Sequence, residues 1–154
     1  SPFHACAIVD DDATGTPTGE GTAFCFGSCS EEGECSEPTT EFLSVAAGRN
    51  FSCGLLGSAR GTRMGEPSCW GSVPFDTAGL SAIRGSKIAA SWYNLCVLKT
   101  DGQVQCRSNF EFIELGPPVW MRFIDIDAGG VIMCGITDDR EGFCWSALGD
   151  HEEL

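Results

Sequence analysis

The chain lacks any long apolar run, is poor in basic residues, and holds one tyrosine, two histidines and three methionines among its 154 residues. No stretch of eighteen apolar residues occurs, so no membrane-spanning helix is expected from this segment. No Cys-x-x-Cys pair occurs either; Cys25-Phe26-Gly27-Ser28-Cys29 comes nearest, and a zinc site is not expected. Lys and Arg are absent from residues 1–48, which carry Asp10, Asp11, Asp12, Glu20, Glu31, Glu32, Glu34, Glu37 and Glu41. The formal charge is −13. Such a surface repels phosphate backbones, so a nucleic-acid partner is not expected.

What the chain has in abundance is cysteine, ten residues, and glycine, twenty. A length near 150 suits one domain, which at that size buries roughly 70% of the surface its unfolded chain exposes. A core is therefore within reach without disulfides. An even cysteine count in so short a chain points to an oxidising compartment, hence a secreted or cell-surface location. The opening Ser1-Pro2-Phe3-His4 has neither a basic n-region nor an apolar h-region, so any signal peptide is expected to have been removed or to lie upstream.

The cysteines set the register of an internal repeat with a period near 40 residues. Phe42-Leu43-Ser44-Val45-Ala46-Ala47-Gly48 leads to Cys53, Lys87-Ile88-Ala89-Ala90-Ser91 to Cys96, and Phe123-Ile124-Asp125-Ile126-Asp127-Ala128-Gly129 to Cys134. Each of these cysteines is followed by a second, at Cys69, Cys106 and Cys144, and two of the second cysteines precede Trp70 and Trp145. His4-Ala5-Cys6 and Phe24-Cys25-Phe26-Gly27 fit the same frame without the opening strand. Residues 1–154 are therefore expected to form one domain of repeats spanning 1–41, which lacks its first strand, 42–82, 83–121 and 122–154. Residues 148–154 stop where a next opening strand would begin.

Within a repeat the pattern is a β-hairpin. Cys96 to Cys106 places Asp101-Gly102 midway between alternating arms, and Cys134 to Cys144 has the same length with a similar turn. Directly opposed positions bring Cβ atoms to roughly 4.5–5.5 Å, close to what a disulfide needs. Bridges 6–25, 53–69, 96–106 and 134–144 are predicted on that ground. Cys29 and Cys35 flank Ser30-Glu31-Glu32-Gly33-Glu34, and a fifth, local bridge between them is the simplest assignment. The tips 9–23 and 55–68, rich in Gly, Pro, Thr and Ser, are expected to be surface loops.

At these residues the chain resembles the propeller family of the regulator of chromosome condensation, whose repeats run aromatic-x-x-Ile-x-Ala-Gly, then His-Ser-Cys-Ala-Leu, a turn and Cys-Trp-Gly. Phe42 to Leu55 and Phe123 to Ile136 match best. The paired cysteines, with Cys53-Gly54-Leu55-Leu56-Gly57 and Cys69-Trp70-Gly71, are similar to the extracellular repeats of plant Crinkly-type receptor kinases. The resemblance covers nearly the whole chain except residues 28–41. It implies an all-β fold of disulfide-stapled antiparallel repeats forming a partial propeller of about four blades. Family propellers usually have seven blades, so the chain is a piece of a longer one, shares a ring with other chains, or forms an open arc. Unpaired edges in an arc are liabilities unless covered.

Catalysis needs a nucleophile with a base, a paired set of carboxylates, or a metal, and no constellation of this kind stands out. His4 occupies a repeat position two before a cysteine, which suits packing, and His151 lies in a polar tail. Asp10-Asp11-Asp12 and Asp138-Asp139 sit at equivalent hairpin tips and could attract calcium, but Asp is a good turn former and no calcium-loop pattern is present. No metal and no cofactor is expected. Asn50-Phe51-Ser52 is a glycosylation sequon and Asn94-Leu95-Cys96 a weak variant. Trp70 and Trp145, at one blade position, are expected in the core. Trp120, after Gly116-Pro117-Pro118-Val119, is the expected contact residue for a partner, joined by Phe110 and Phe112.

The function expected is a non-enzymatic module for protein recognition or extracellular assembly, either a receptor-ectodomain fragment or a structural subunit joined to copies of itself. The same propeller family implies two other uses, inhibition of an enzyme by an inserted loop and nucleotide exchange on a small GTPase. The predicted disulfides and the acidic charge argue against the last.

Overall fold

The computed structural model describes residues 4–9, 20–57, 63–109 and 116–146, together with the backbone of 151–153. Those residues form twelve strands and one short 3-10 helix, Leu80–Ala82. The strands are β1 (His4–Val9), β2 (Gly21–Gly27), β3 (Glu41–Ala47), β4 (Phe51–Leu56), β5 (Pro67–Gly71), β6 (Lys87–Ala90), β7 (Asn94–Leu98), β8 (Val104–Ser108), β9 (Phe123–Gly129), β10 (Ile132–Thr137), β11 (Gly142–Ser146) and β12 (His151–Glu153). All pairings are antiparallel between chain neighbours, as expected for successive hairpins.

The strands divide into four blades: β1-β2, β3-β4-β5, β6-β7-β8 and β9-β10-β11-β12. β3 also touches the first blade through Gly21↔Phe42 and Thr22↔Glu41, which joins blades one and two into one sheet. β12 pairs with β11 through Trp145↔His151, so residues 151–153 extend the fourth blade at its outer edge and do not open a further repeat. β3, β6 and β9 pack side by side, and β1 packs against β3. The inner edge of β1, where a complete repeat carries its first strand, pairs with no strand among the described residues.

Each hairpin places one cysteine directly opposite another: Cys6↔Cys25, Cys53↔Cys69, Cys96↔Cys106 and Cys134↔Cys144. Their Cα atoms lie 4.0–4.1 Å apart, the close approach of opposed strand residues whose side chains point to the same face. All four pairs are bridged, and Cys29–Cys35 closes the loop after β2.

The core is divided among the three seams between blades. The face of a blade that carries its disulfide points to the next blade, and the face that carries the residues flanking the cysteines points to the previous one. Cys53 and Leu55 thus meet Ile88, Ala90, Leu95 and Val97, while Cys96 and Leu98 meet Phe123, Met133, Phe143 and Trp145. In the first seam Cys25 and Ile8 pack near Phe42 and Trp70. Phe42 with Trp70 and Phe123 with Trp145 repeat the same aromatic pair, at 5.5 and 5.6 Å between ring centroids.

A volume exchange runs through the repeats. A side chain at Gly54 would strike the ring of Phe42, and one at Gly135 the ring of Phe123. In the third blade the two sizes are swapped: Val97 stands at the position of Gly54, and Gly85 stands where Phe42 would be, with no room for a Cβ beside Val97. The space is filled once in each of blades two to four, from one strand or the other, as close packing requires.

Candidate functional site

Trp120 projects from the turn between the third and fourth blades. The turn closes through the Met121 amide, which donates to the Pro118 carbonyl at 2.9 Å, and Arg122 donates to the carbonyls of Val119 and Met121, both at 2.9 Å. The Asp138 amide donates in turn to the Arg122 carbonyl, tying this turn to the tip of the β10-β11 hairpin. Two prolines and four tethered carbonyls hold the segment, so the tryptophan is presented from a fixed base. Trp120 is 75% exposed and Val119 beside it is equally open. A hollow of about 550 Å³ lies on one side of Trp120, lined by Met121, Arg122, Thr137 and Asp138; a smaller one, about 180 Å³, lies beside Val119 over Lys99 and Pro118. An exposed ring between a cation and carboxylates can take an aromatic or aliphatic anchor from a partner and orient polar groups around it.

A second cluster forms where the inner strands end. The Arg49 guanidinium donates to the Tyr93 hydroxyl at 2.7 Å and lies 5.6 Å from the centre of the Trp92 ring, a cation–π distance. The Trp92 amide donates to the Gly130 carbonyl at 2.8 Å, so the turns after β6 and β9 are joined. His4, Gly48, Ser91 and Gly129 complete the rim of a cavity of about 180 Å³. The sequence offered a signal for this cluster: Gly48-Arg49-Asn50 and Ser91-Trp92-Tyr93 occupy the same place in successive repeats.

His4 on β1 lies against Ser52 of β4. Its Nε2 lies 2.7 Å from Ser52 Oγ, but the Ser52 hydroxyl donates its one proton to the Glu34 carbonyl at 2.9 Å. Ser52 therefore accepts from His4, and a serine that accepts from a histidine is not activated by it. Trp70 Nε1 donates to the same Glu34 carbonyl at 2.9 Å, so one main-chain oxygen anchors two blade-two side chains. The Glu34 side chain is fully buried and accepts from the Ser30 amide and hydroxyl. Burial acts to raise its pKa, but those hydrogen bonds, with help from nearby His4, hold the carboxyl below its ordinary value. Burial lowers the pKa of His4, and Glu34 offsets part of that shift. The acidic stretch that falls outside the repeat is thus a cap on the first seam.

Of the other residues singled out from sequence, Phe110, Phe112 and Asp10 to Asp12 lie outside the described residues, as does the side chain of His151. Asp139 accepts from the Thr137 hydroxyl within the β10-β11 turn, a turn-forming role. No group of three or more His, Cys, Asp or Glu that could hold a metal occurs among the described residues. No helix there is long and apolar enough to cross a membrane. Asn50 is half-buried at the β3-β4 turn, and Asn94 is buried in β7 beside the bridged Cys96.

Hairpin blades stapled by cross-strand disulfides, stacked around their inner strands through seams of aromatic and aliphatic residues, define a repeat-propeller architecture. No protein-family model matches the chain. Among solved structures it is similar to the Crinkly WD40 ectodomain of the Arabidopsis thaliana receptor kinase ACR4, with a TM-score of 0.67 and 21% identity over 97% of this chain and 49% of that one. It is also similar to the entire ectodomain of the Physcomitrella patens receptor kinase CR4, with a TM-score of 0.63, 23% identity, and 94% and 35% covered. Prp20p of Saccharomyces cerevisiae, the yeast RCC1, gives a TM-score of 0.58 at 13% identity over 82% of this chain and 41% of that one. The chain thus spans half the length, or less, of the propellers it matches. The fold is that of RCC1-type and Crinkly-type repeats.

Proposed function

We propose that the chain is an extracellular, non-enzymatic protein-recognition module and that the Trp120 turn is a contact surface. The single observation that carries this reading is the presentation of a 75% exposed tryptophan from a hydrogen-bonded turn between two hollows. An exposed ring of this size forgoes the stabilisation its burial would give, and holding it on a fixed support is the pattern of an interface anchor. Five disulfides with no free cysteine support an oxidising location, and two of the similar propellers are receptor ectodomains. Phe110 and Phe112, in the same connection in sequence, are proposed as further contact residues. The finer choices, receptor-ectodomain fragment or structural subunit, both use the same chemistry.

The test is a quantitative pull-down from extracellular fluid of the source with wild-type chain and with Trp120→Ala. Loss of at least about tenfold in a recovered partner, with unchanged circular dichroism, supports the reading; equal recovery of every partner removes Trp120 from it. Thiol titration of native protein checks the compartment separately, and most of the ten cysteines found reduced overturns secretion. Asn50 is the proposed glycan acceptor, read out as a mass shift on enzymatic deglycosylation and its loss in Asn50→Gln.

A further inference from the structure

The larger hollow beside Trp120 is walled by the 120–122 turn and by the tip of the β10-β11 hairpin. Its walls carry Asp138, Asp139 and Glu141 against a single cation, Arg122. These charges are not equally free. Arg122 is committed to the carbonyls of Val119 and Met121, and Asp139 to the Thr137 hydroxyl. The carboxylates of Asp138 and Glu141 make no hydrogen bond or ion pair among the described residues. Their backbones are nevertheless fixed. The Asp138 amide donates to the Arg122 carbonyl at 3.0 Å, the Glu141 amide to Thr137 Oγ1 at 3.0 Å, and the Thr137 amide to the Glu141 carbonyl at 2.9 Å. Arg140, between them in sequence, does not line the hollow and forms no ion pair among the described residues. Elsewhere Glu66 is met by Arg84 and Asp125 by Lys87, so acids of this chain do take a cation where one is within reach.

We propose that this hollow takes a lysine or arginine side chain from a basic segment of a protein partner. The inference rests on the recognition reading of the Trp120 turn and adds the chemistry of the anchor. A long cationic side chain matches the hollow along its length: its methylene stem packs on the Trp120 ring and Met121, and its charged head reaches Asp138 and Glu141. A neutral aliphatic anchor would strip water from both carboxylates and give them no partner, and an acidic one would be repelled by them. A metal ion is a poorer occupant, since no group of three or more His, Cys, Asp or Glu among the described residues could hold one. The field of the whole chain acts in the same direction. A formal charge of −13 draws a basic partner in, and that attraction weakens as salt is raised. Lys99 marks the limit of the acidic surface: it lines the smaller hollow beside Val119, so the turn separates an acidic hollow from a basic one and fixes which way a partner's charges run.

Fluorescence anisotropy tests it with two labelled peptides of about ten residues, identical except that one carries Lys and the other Glu at every third position, titrated with the oxidised chain to about 1 mM. The Lys peptide is expected to bind, more weakly as salt is raised from about 0.15 to about 0.5 M, and the Glu peptide is not. Trp120→Ala and the double variant Asp138→Asn/Glu141→Gln each weaken the Lys peptide by at least about fivefold, with circular dichroism unchanged. Glu31→Gln/Glu32→Gln removes the same charge from exposed positions after β2 and changes it by less than about twofold. Equal loss in the two double variants means that net charge alone is read, and overturns the proposal. No binding of the Lys peptide, or equal binding of the Glu peptide, overturns it as well. Loss with Trp120→Ala but not with Asp138→Asn/Glu141→Gln overturns the basic anchor and leaves the recognition reading standing. Full affinity in Trp120→Ala overturns the packing of the stem on the ring, and only an unchanged pull-down beside it removes the recognition reading too.

Discussion

The seam between blades two and three and the outer face of blade four are built from the same positions of the same repeat, yet one is dry and the other is wet. Leu55 is fully buried against Ile88, Leu95 and Val97, while Ile136 at the equivalent position is 41% exposed. The residue types do not differ enough to explain this. What differs is the neighbour: among the described residues a blade stacks on the first face and none on the second. Burial here is a property of the stack and not of the strand, which is why a repeat unit is stable only between neighbours.

The sharpest way to break the comparison is to truncate both positions. Leu55→Ala is expected to cost about 3 kcal/mol, since it opens a cavity in a closed seam, whereas Ile136→Ala is expected to cost under about 1 kcal/mol in the monomer. Urea unfolding of dilute protein, with disulfides intact, reads both; equal costs would mean that the outer face is covered within one chain. Next in size is the volume exchange. Gly135→Val is expected to destabilise by about 2 kcal/mol through collision with Phe123, and adding Phe123→Gly should recover part of that loss, since Gly85 with Val97 is the same arrangement in blade three. A pair of substitutions whose costs simply add would refute the exchange.

The acidic cap makes the first seam sensitive to pH, and the other seams serve as its control. His4 has a lowered pKa in the fold, so the unfolded chain binds the extra proton first and stability declines as pH falls below about 6.5. The Glu34 carboxyl is also held low, so a second decline begins as pH falls below its ordinary value near 4.5 and completes through the lower folded value. Melting curves between pH 8 and 3 should therefore show two successive losses. His4→Gln should remove the first and leave the second; a profile unchanged in that variant would disprove the assignment. The smallest effect concerns the turns of blades three and four. Gly102 and Arg140 occupy the same turn position with φ of 81° and 70°, and only glycine takes that conformation without a steric cost. Arg140→Gly should stabilise by about 0.5–1 kcal/mol, and a lower midpoint in urea would contradict it.

Much of the fold was legible in the sequence because the cysteines fix register. A hairpin with its Asp-Gly turn midway between Cys96 and Cys106 has few ways to pair, the same count recurs between Cys134 and Cys144, and the resemblance to a propeller family implied how the hairpins stack. Trp70 and Trp145 were readable as core because they recur at one blade position, and Trp120 as exposed because it follows a proline-rich connection. The anchoring role of Glu34 was not legible, since its carbonyl, not its side chain, receives Ser52 and Trp70, and main-chain acceptors leave no mark in residue type. The Arg49–Trp92–Tyr93 cluster left a signal in its shared repeat position, but the contact between its members forms only where the two turns meet in the folded stack. The pairing of β12 with β11 was hidden for a related reason: three residues carry too little pattern to choose between closing one blade and opening another.

The central claim is that each seam joins the disulfide face of one blade to the flanking-residue face of the next, and a photoreactive leucine analogue in place of Leu98 reports on it directly. After irradiation and proteolysis with the disulfides reduced, the account predicts cross-links from position 98 to the peptides carrying Phe123 or Met133 of the fourth blade. Cross-links from position 98 to the first or second blade alone would contradict it.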